Sequence, residues 1–511
     1  QLNKIFTPSM NPMYYLGAIT FFFFLIVVVS GIYLFLFYEM NPAGAYDSVK
    51  YITETQKNYG GVIRSLHRYG SDGLVIVIVI HILQVFFSDR FRKYRWVAWV
   101  SGVFILPPIW FDGITGYLMV WDEKSQIMAH LLASFFDGLP IFSQPISRNF
   151  LYDTSVTPTL FLVMSFVHIS IPVLLLILVW VHCMRISRPL INPPAQSAVT
   201  IVAALLLISL LKPVASEGPA KMSLLVGEVE IDWFYMFAFP IMNMFNLSMG
   251  WIWVTAIAGF AIFTSFPWII KSPAKPKEEK DDKSLVIPMV VPEVDLSRCT
   301  GCNICLEVCP FLAISIVPRS DGRSHESEVK ILSERCSESG FCVAACPFDA
   351  LTIGEFSETS VGKRINDIFA EKKGEVKPAV MVFVCERSLD VASFLSPDMT
   401  TLADNTDAAA TIIPCIGFLG PSIIESTFKA GALGIAVVGC RSLDCHYREG
   451  RRRVKKGFST EQELFPVEEM KHPNIQIFHI SRFQLAKLEN DIEEFIEEIK
   501  AGPHKVSGPP K

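Results

Sequence analysis

The chain has 511 residues, 51% of them hydrophobic, with a formal net charge of −5 and a mean hydropathy of +0.39. At about 150 residues per domain this length predicts three to four domains, and the apolar content excludes an ordinary soluble protein along the whole chain. The near-neutral charge leaves no nucleic-acid footprint, so DNA and RNA are not expected partners.

The composition is split. All nine Trp lie at or before Trp268, and eleven of the twelve Cys lie at or after Cys299. Eleven cysteines in a stretch with CxxC spacings predict metal ligation in a reducing compartment rather than a disulfide framework. The chain opens at Gln1 with no charged n-region and no small-residue cleavage site, so no signal peptide is expected, and a trimmed start is compatible with this.

Apolar stretches long enough for a bilayer core of about 30 Å run from Tyr14 to Tyr38, Leu66 to Phe87, Val97 to Val120, Leu160 to Met184, Ser197 to Leu211 and Gly250 to Ile270. This predicts six membrane helices, the fifth short. The stretch Ile231 to Phe245, broken by Pro240 and Asn243, reads as a partly embedded hairpin or interfacial helix. The connection Asp89 to Trp96 holds Arg90, Arg92, Lys93 and Arg95 against one Asp, and the next connection on that side holds Arg185 and Arg188. The connections Glu39 to Ile63 and Trp121 to Pro158 are net acidic. Positive-inside orientation then places the N-terminus, and everything after Lys271, in the cytoplasm.

Four histidines fall in two of these helices: His67 and His81 in the second, His168 and His182 in the fourth. Each pair is 14 residues apart, close to four turns, so its members share a face about 21 Å apart. Both helices run inward, which puts His67 and His168 at one depth and His81 and His182 at another. Two stacked haems, each held by two imidazoles, are the natural reading of matched ionisable residues in lipid. Gly17 and Gly31, and Gly102 and Gly116, repeat the 14-residue spacing in the first and third helices. They would let a flat macrocycle approach the backbone, although such pairs also serve helix packing.

The stretch GGVIRSLHRYG (60–70), the segment GYLMVWD (116–122) and these His and Gly pairs resemble cytochrome b of the bc-type and plastid-type quinol-oxidising complexes, over about residues 4–270. The resemblance implies that His67 and His168 hold an outer, low-potential haem b and His81 and His182 an inner, high-potential one. Arg64 would face a propionate. It also implies that IDWFYMFAFP (231–240) corresponds to the quinol-oxidation motif, with Asp232 as the proton acceptor and Trp233 retained. Gln84 and Val163 stand where family arginines are expected, and Arg185 substitutes for one of them in this reading. Tyr15 stands where plastid-type relatives carry a cysteine for an extra haem, so that haem is not expected. Relatives of the bc type are dimers, which implies a homodimer, with other membrane subunits as further partners.

Residues 271–290 form a charged linker. Then CTGCNICLEVCP supplies Cys299, Cys302, Cys305 and Cys309, the run of bacterial two-cluster ferredoxins, in which the fourth cysteine crosses to the other cluster. The second run, CSESGFCVAACP, supplies Cys336, Cys342 and Cys346 but has Ser339 in the place of its second cysteine. Cys299, Cys302, Cys305 and Cys346 are therefore assigned to a 4Fe-4S cluster. Cys309, Cys336 and Cys342 hold either a 3Fe-4S cluster or a 4Fe-4S cluster completed by Ser339, water or a partner residue. The domain spans about 291–355, as a compact βαβ repeat.

Farther on, the apolar runs 379–385 and 435–440 each end in a cysteine and flank a helical stretch, Ser422 to Ala430. They predict a parallel α/β sheet with its site at the C-terminal strand ends. Cys385, Cys415, Cys440 and Cys445 would converge there, a count that suits 2Fe-2S or zinc equally. The segments GCRSLDCHYREG (439–450) and PCIGFLG (414–420) resemble the delta subunit of methyl-viologen-reducing hydrogenases. This implies a 2Fe-2S domain over 376–505 that exchanges electrons with a heterodisulfide-reductase-type flavoprotein. Ser388 stands where that family often has a second cysteine. His446 reads as a neighbour of the site rather than a ligand. The basic run Arg448 to Lys456 reads as a solvated face, with docking of a partner or of anionic headgroups as its alternative.

The expected architecture is thus multidomain: an α-helical membrane bundle of about six helices and two haems over 1–270, a ferredoxin-like α+β domain, and an α/β iron–sulfur domain. No GxGxxG follows a strand, so no flavin or nicotinamide is expected in this chain. The expected function is that of a membrane electron-transfer subunit linking quinone, two b haems and cytoplasmic iron–sulfur clusters to a soluble flavoprotein or iron–sulfur partner. The alternatives are a bc-type quinol oxidase working with a Rieske protein and a c-type cytochrome, and a non-catalytic sensor or anchor.

Overall fold

The structure, a computed structural model, describes residues 11–501 except 89, 93–94, 142–143, 185–188, 225, 228–231, 233, 238–243, 245–247, 271–290, 372–377, 389–393, 397–400, 403–406, 441–444, 451–452, 454–473 and 481–484. Arg185, Trp233, the charged linker and most of the Ile231–Phe245 stretch lie outside the described residues. The chain folds as two compact units, Gln1–Ser272 and Pro273–Lys511.

The first unit is helical: α1 (Leu16–Phe35), α2 (Val62–Phe87), α3 (Trp96–Val120), α4 (Glu123–Asp137), α5 (Pro158–Met184), α6 (Ala195–Leu211) and α7 (Met249–Ile269), with a short helix at Ala45–Lys50. Among the described residues five helices are long and apolar enough to span a membrane, α1, α2, α3, α5 and α7. At 17 residues α6 is shorter, reaching about 26 Å against the 30 Å of a bilayer core. Helix α1 packs on α2, and α3 on α5.

One helix departs from the sequence reading, which treated 121–158 as a plain connection. Asp122 caps α4 by accepting from the Ser125 amide at 3.0 Å, and Met128, Ala129, Ala133 and Phe135 form its buried stripe. A short amphipathic helix leaves little trace in a hydropathy window tuned to membrane spans. The turn into it is sharp: Trp121 ends α3 in the left-handed region, at φ +56°, and is held there by edge packing on Phe161 at 4.8 Å between ring centroids. Asp122 also accepts from the Glu217 amide at 3.2 Å, which ties the segment after α6 to the end of α3.

The second unit begins with the cysteine runs. Strand β1 (Glu293–Val294), helix α8 (Ile304–Val308), the hairpin β2–β3 (Ile314–Pro318 and Ser327–Ile331), helix α9 (Phe341–Ala344) and β4 (Leu351–Thr352) follow one another. Both strand pairs, β1 with β4 and β2 with β3, are antiparallel. The backbone records the internal repeat: left-handed residues fall at Gly301 and Glu338, Asn303 and Gly340, Leu312 and Asp349, each pair 37 residues apart. That is also the offset between Cys302 and Ser339.

Helix α10 (Glu358–Glu371) leads into a four-stranded sheet of β5 (Val380–Cys385), β6 (Ala408–Ile413), β7 (Gly434–Cys440) and β8 (Ile475–Ile480). The order is β6-β5-β7-β8, with every pairing parallel. Helix α11 (Pro421–Ala430) crosses between β6 and β7, and α12 (Leu485–Lys500) follows β8. Strands β5, β6 and β7 are buried throughout, which is why they read as unbroken apolar runs. The ferredoxin-like part and the α/β part share one hydrophobic core, although the sequence divides them into two domains. Phe383 is fully buried at the centre of that sheet. Phe383→Ala is expected to cost about 3–5 kcal/mol, read as a lower denaturant midpoint for proteolysis of the second unit in the full chain; an unchanged midpoint contradicts this packing.

Candidate haem and iron–sulfur sites

The four histidines of α2 and α5 each lie against one of the four glycines. A side chain placed on Gly31 would meet the His67 ring at 3.0 Å, on Gly17 the His81 ring at 3.5 Å, on Gly116 the His168 ring at 3.0 Å and on Gly102 the His182 ring at 3.2 Å. The matches run in opposite chain directions, as they must when antiparallel helices carry the same 14-residue period.

The other side of each ring contact is polar. His67 Nδ1 lies 2.9 Å from the Val27 carbonyl and 3.1 Å from Ser30 Oγ. His168 Nδ1 lies 3.1 Å from both the Asp112 carbonyl and Thr115 Oγ1, with the Asp112 carboxylate at 3.2 Å. His182 Nδ1 lies 3.0 Å from Ser101 Oγ and also bonds the Ala98 backbone. In each case a hydroxyl residue stands just before the glycine, and the carbonyl comes from three residues earlier. A carbonyl can only accept, so Nδ1 carries the proton and Nε2 keeps its lone pair, the state a metal-ligating imidazole needs. The fourth site departs from this, because Leu16 precedes Gly17 and the corresponding carbonyl, of Met13, accepts from Gln84. His67 and His168 are close enough to act on each other electrostatically. A neutral imidazole with a free Nε2, packed on a glycine, fits a haem ligand.

Arg64 is buried and donates to Thr53 Oγ1 at 2.6 Å and Ser216 Oγ at 2.9 Å. Asp232 sits in a polar network that the sequence did not disclose. Its Oδ2 accepts from Arg68 at 2.8 Å and from the Tyr117 hydroxyl at 2.6 Å, while Oδ1 accepts from the Phe234 and Tyr235 amides, both at 2.9 Å. Arg68 also bonds Asp72 one helical turn on, and the Tyr235 hydroxyl lies 3.2 Å from Ser71 Oγ. Opposite charges one turn apart within a membrane-spanning helix, at Arg68 and Asp72, were the available signal.

In the second unit, Cys299, Cys302, Cys305 and Cys346 line one cavity. Cys309, Cys336 and Cys342 line another, together with Ser337 and Ser339. Thr300 Oγ1 and Ser337 Oγ, in the walls of these two cavities, are buried with no hydrogen-bond partner among the described residues. They are 37 residues apart, like the cysteines. A buried hydroxyl without an acceptor costs about 1–3 kcal/mol, and cluster sulfide would supply one, so both cavities fit iron–sulfur groups. The two sites differ in access: Cys302 is exposed, whereas Ser339 is buried. Burial pushes the Cys305 thiol up to about 11.

Cys385 ends β5, Cys415 follows β6, and Cys440 ends β7. With Cys445 they are all buried at the C-terminal edge of the sheet. Cys385 Sγ lies 4.0 Å from Cys440 Sγ, and Cys415 is hydrogen-bonded to Cys385 and Cys445. The Cys415 bond pulls the Cys445 thiol down to about 6. The half-buried His446 packs edge-on against Tyr447 at 4.9 Å.

Replacing Gly31 by Leu drives a side chain into the space of the His67 ring. Such a chain is expected to lose about half its dithionite-reduced haem absorbance, since only one of two ligand pairs is disturbed. Full haem content in Gly31→Leu would contradict the packing.

Residues 2–189 match the cytochrome b/b6/petB family, residues 298–350 the 4Fe-4S dicluster domain, and residues 380–502 the delta subunit of methyl-viologen-reducing hydrogenase. A cytochrome b6 from Auxenochlorella protothecoides is 33% identical over 142 residues, covering 28% of this chain and 66% of that protein. The chain thus spans just under two thirds of the length of this curated relative. A solved structure described as a hyperthermophilic respiratory Complex III is 18% identical at a TM-score of 0.44, covering 52% of this chain and 78% of that one. The chain therefore carries a cytochrome b/b6 domain at its N-terminus and, in its C-terminal part, a 4Fe-4S dicluster domain and a hydrogenase-delta-like domain.

Proposed function

We propose that the chain is the membrane subunit of a quinone oxidoreductase complex, exchanging electrons between the quinone pool and a cytoplasmic flavoprotein or iron–sulfur partner of the heterodisulfide-reductase type. The carrying observation is that Asp232 is bonded to Arg68, the sequence neighbour of His67, which sets an acid–base group beside the His67–His168 level. His67 with His168 and His81 with His182 would hold two b haems, and Arg64 would face a propionate. Gly17, Gly31, Gly102 and Gly116 would make room for them, and Arg185 would substitute for one of the family's haem-side arginines. Cys299, Cys302, Cys305 and Cys346 would hold 4Fe-4S. Cys309, Cys336 and Cys342, with or without Ser339, would hold the second ferredoxin cluster, and Cys385, Cys415, Cys440 and Cys445 would hold 2Fe-2S. When bound, these groups supply one-electron transfer. Loop charge supports a cytoplasmic location for the second unit.

The chain's own part is proton handling. Asp232 accepts a proton from a quinol hydroxyl, Arg68 and Tyr117 fix the carboxylate, and Trp233 forms part of the same motif. Asp72, paired to Arg68 one helical turn on, shares that cation with Asp232. Asp232→Asn is expected to slow quinol-driven haem reduction by about 10²-fold or more, measured anaerobically by stopped flow, with haem spectra unchanged. Asp232→Glu should stay within about tenfold of the parent chain. An unaltered rate in Asp232→Asn would remove the quinone site from this position and favour an anchor or sensor.

A further inference from the structure

The basic run after Cys445 reads from sequence as a solvated face, yet Arg453 turns inward. Its guanidinium donates to the Val308 carbonyl at 2.8 Å, beside Cys309, and lies over the Phe341 ring at 4.9 Å. Phe341 is a wall of the three-cysteine cavity. In the other direction Arg453 is tied by its amide to the Glu449 carbonyl at 3.0 Å. The next residue, Gly450, abuts Cys415, where an added side chain would come within 2.4 Å of the sulfur. Tyr447, fully buried between the two sites, packs on Phe341 at 6.0 Å and donates to the Glu338 carbonyl at 3.3 Å. Burial pulls the Arg453 guanidinium down, and Glu449, Cys342, Cys415 and Cys309 oppose this, so the group feels both sets of thiols at once.

We propose that Arg453 is a shared counter-charge for two redox sites, the Cys309–Cys336–Cys342 site and the Cys385–Cys415–Cys440–Cys445 site, and raises the reduction potential of both. The inference rests on the reading that both thiol sets hold iron–sulfur clusters. Reduction of either site adds one electron and moves no atom. The added negative charge is stabilised by a fixed cation in a half-buried, weakly screened position. Arginine suits this role because its planar guanidinium meets the Val308 carbonyl and the Phe341 ring at once while it keeps its charge. The Cys299–Cys302–Cys305–Cys346 site, whose Cys302 faces solvent, lies outside this pairing.

The test uses the full purified chain. Iron and acid-labile sulfide are counted, and each cluster is then titrated electrochemically with EPR detection. Arg453→Met is expected to lower both midpoints, by about tenfold in the reduced-to-oxidised ratio at fixed poise, or about 59 mV for one electron. The Cys299–Cys302–Cys305–Cys346 cluster should not move. Arg453→Lys should keep most of the parent potentials, and Lys429→Met, at an exposed ion pair with Glu425, should change none. Unmoved potentials, a shift at only one of the two sites, or an equal shift at all three would overturn the proposal. Too little iron and sulfide in the parent chain for both sites would instead overturn the cluster reading itself, before any variant is compared.

Discussion

The membrane unit depends on one contact, an imidazole laid against a glycine while its Nδ1 proton is held by the neighbouring helix. At His67, His168 and His182 that hold has the same two parts, a hydroxyl beside the glycine and the carbonyl three residues before it. The glycine brings the helices close, the carbonyl fixes the tautomer, and Nε2 keeps its lone pair. A methyl group at the glycine would meet the ring at 3.0 to 3.5 Å, so helix spacing and ring orientation are set together. The same constraint explains why α1 packs on α2 and α3 on α5. Each pair is a holder for two rings at two depths.

In the second unit the corresponding constraint is a repeat that has been broken once. The left-handed residues of the two cysteine runs match at an offset of 37, and the hydroxyls of Thr300 and Ser337 occupy matching walls. Among the four cysteine positions only the second changes, from exposed Cys302 to buried Ser339. Burial there follows from the α/β part: Phe418 abuts Gly340, and Tyr447 covers the Glu338 backbone. The ferredoxin-like repeat is therefore open on one half and covered on the other, within one continuous core.

Much of this was legible in the sequence because it is periodic or compact. Fourteen residues are near four helical turns, so the His and Gly pairs announce shared faces without any tertiary information. Cysteine runs and apolar strands ending in cysteine are equally local signals. The Ser-Gly and Thr-Gly steps at 30–31, 101–102 and 115–116 were also readable, but their meaning needs the facing histidine. Helix α4 was lost because its apolar stripe is narrow, and Arg68, Tyr117 and Asp72 because their network joins elements far apart in sequence. Arg453 was misread since a run of cations ordinarily stays in water; its neighbours Val308 and Phe341 lie more than a hundred positions upstream.

The proposed coupling of a quinone pool to the haems is tested by adding quinol anaerobically to the purified complex and following the haem absorbance, with dithionite added last. Quinol alone is expected to reduce haem before dithionite is present. Haem that stays oxidised with quinol, yet is reduced at once by dithionite, would contradict it.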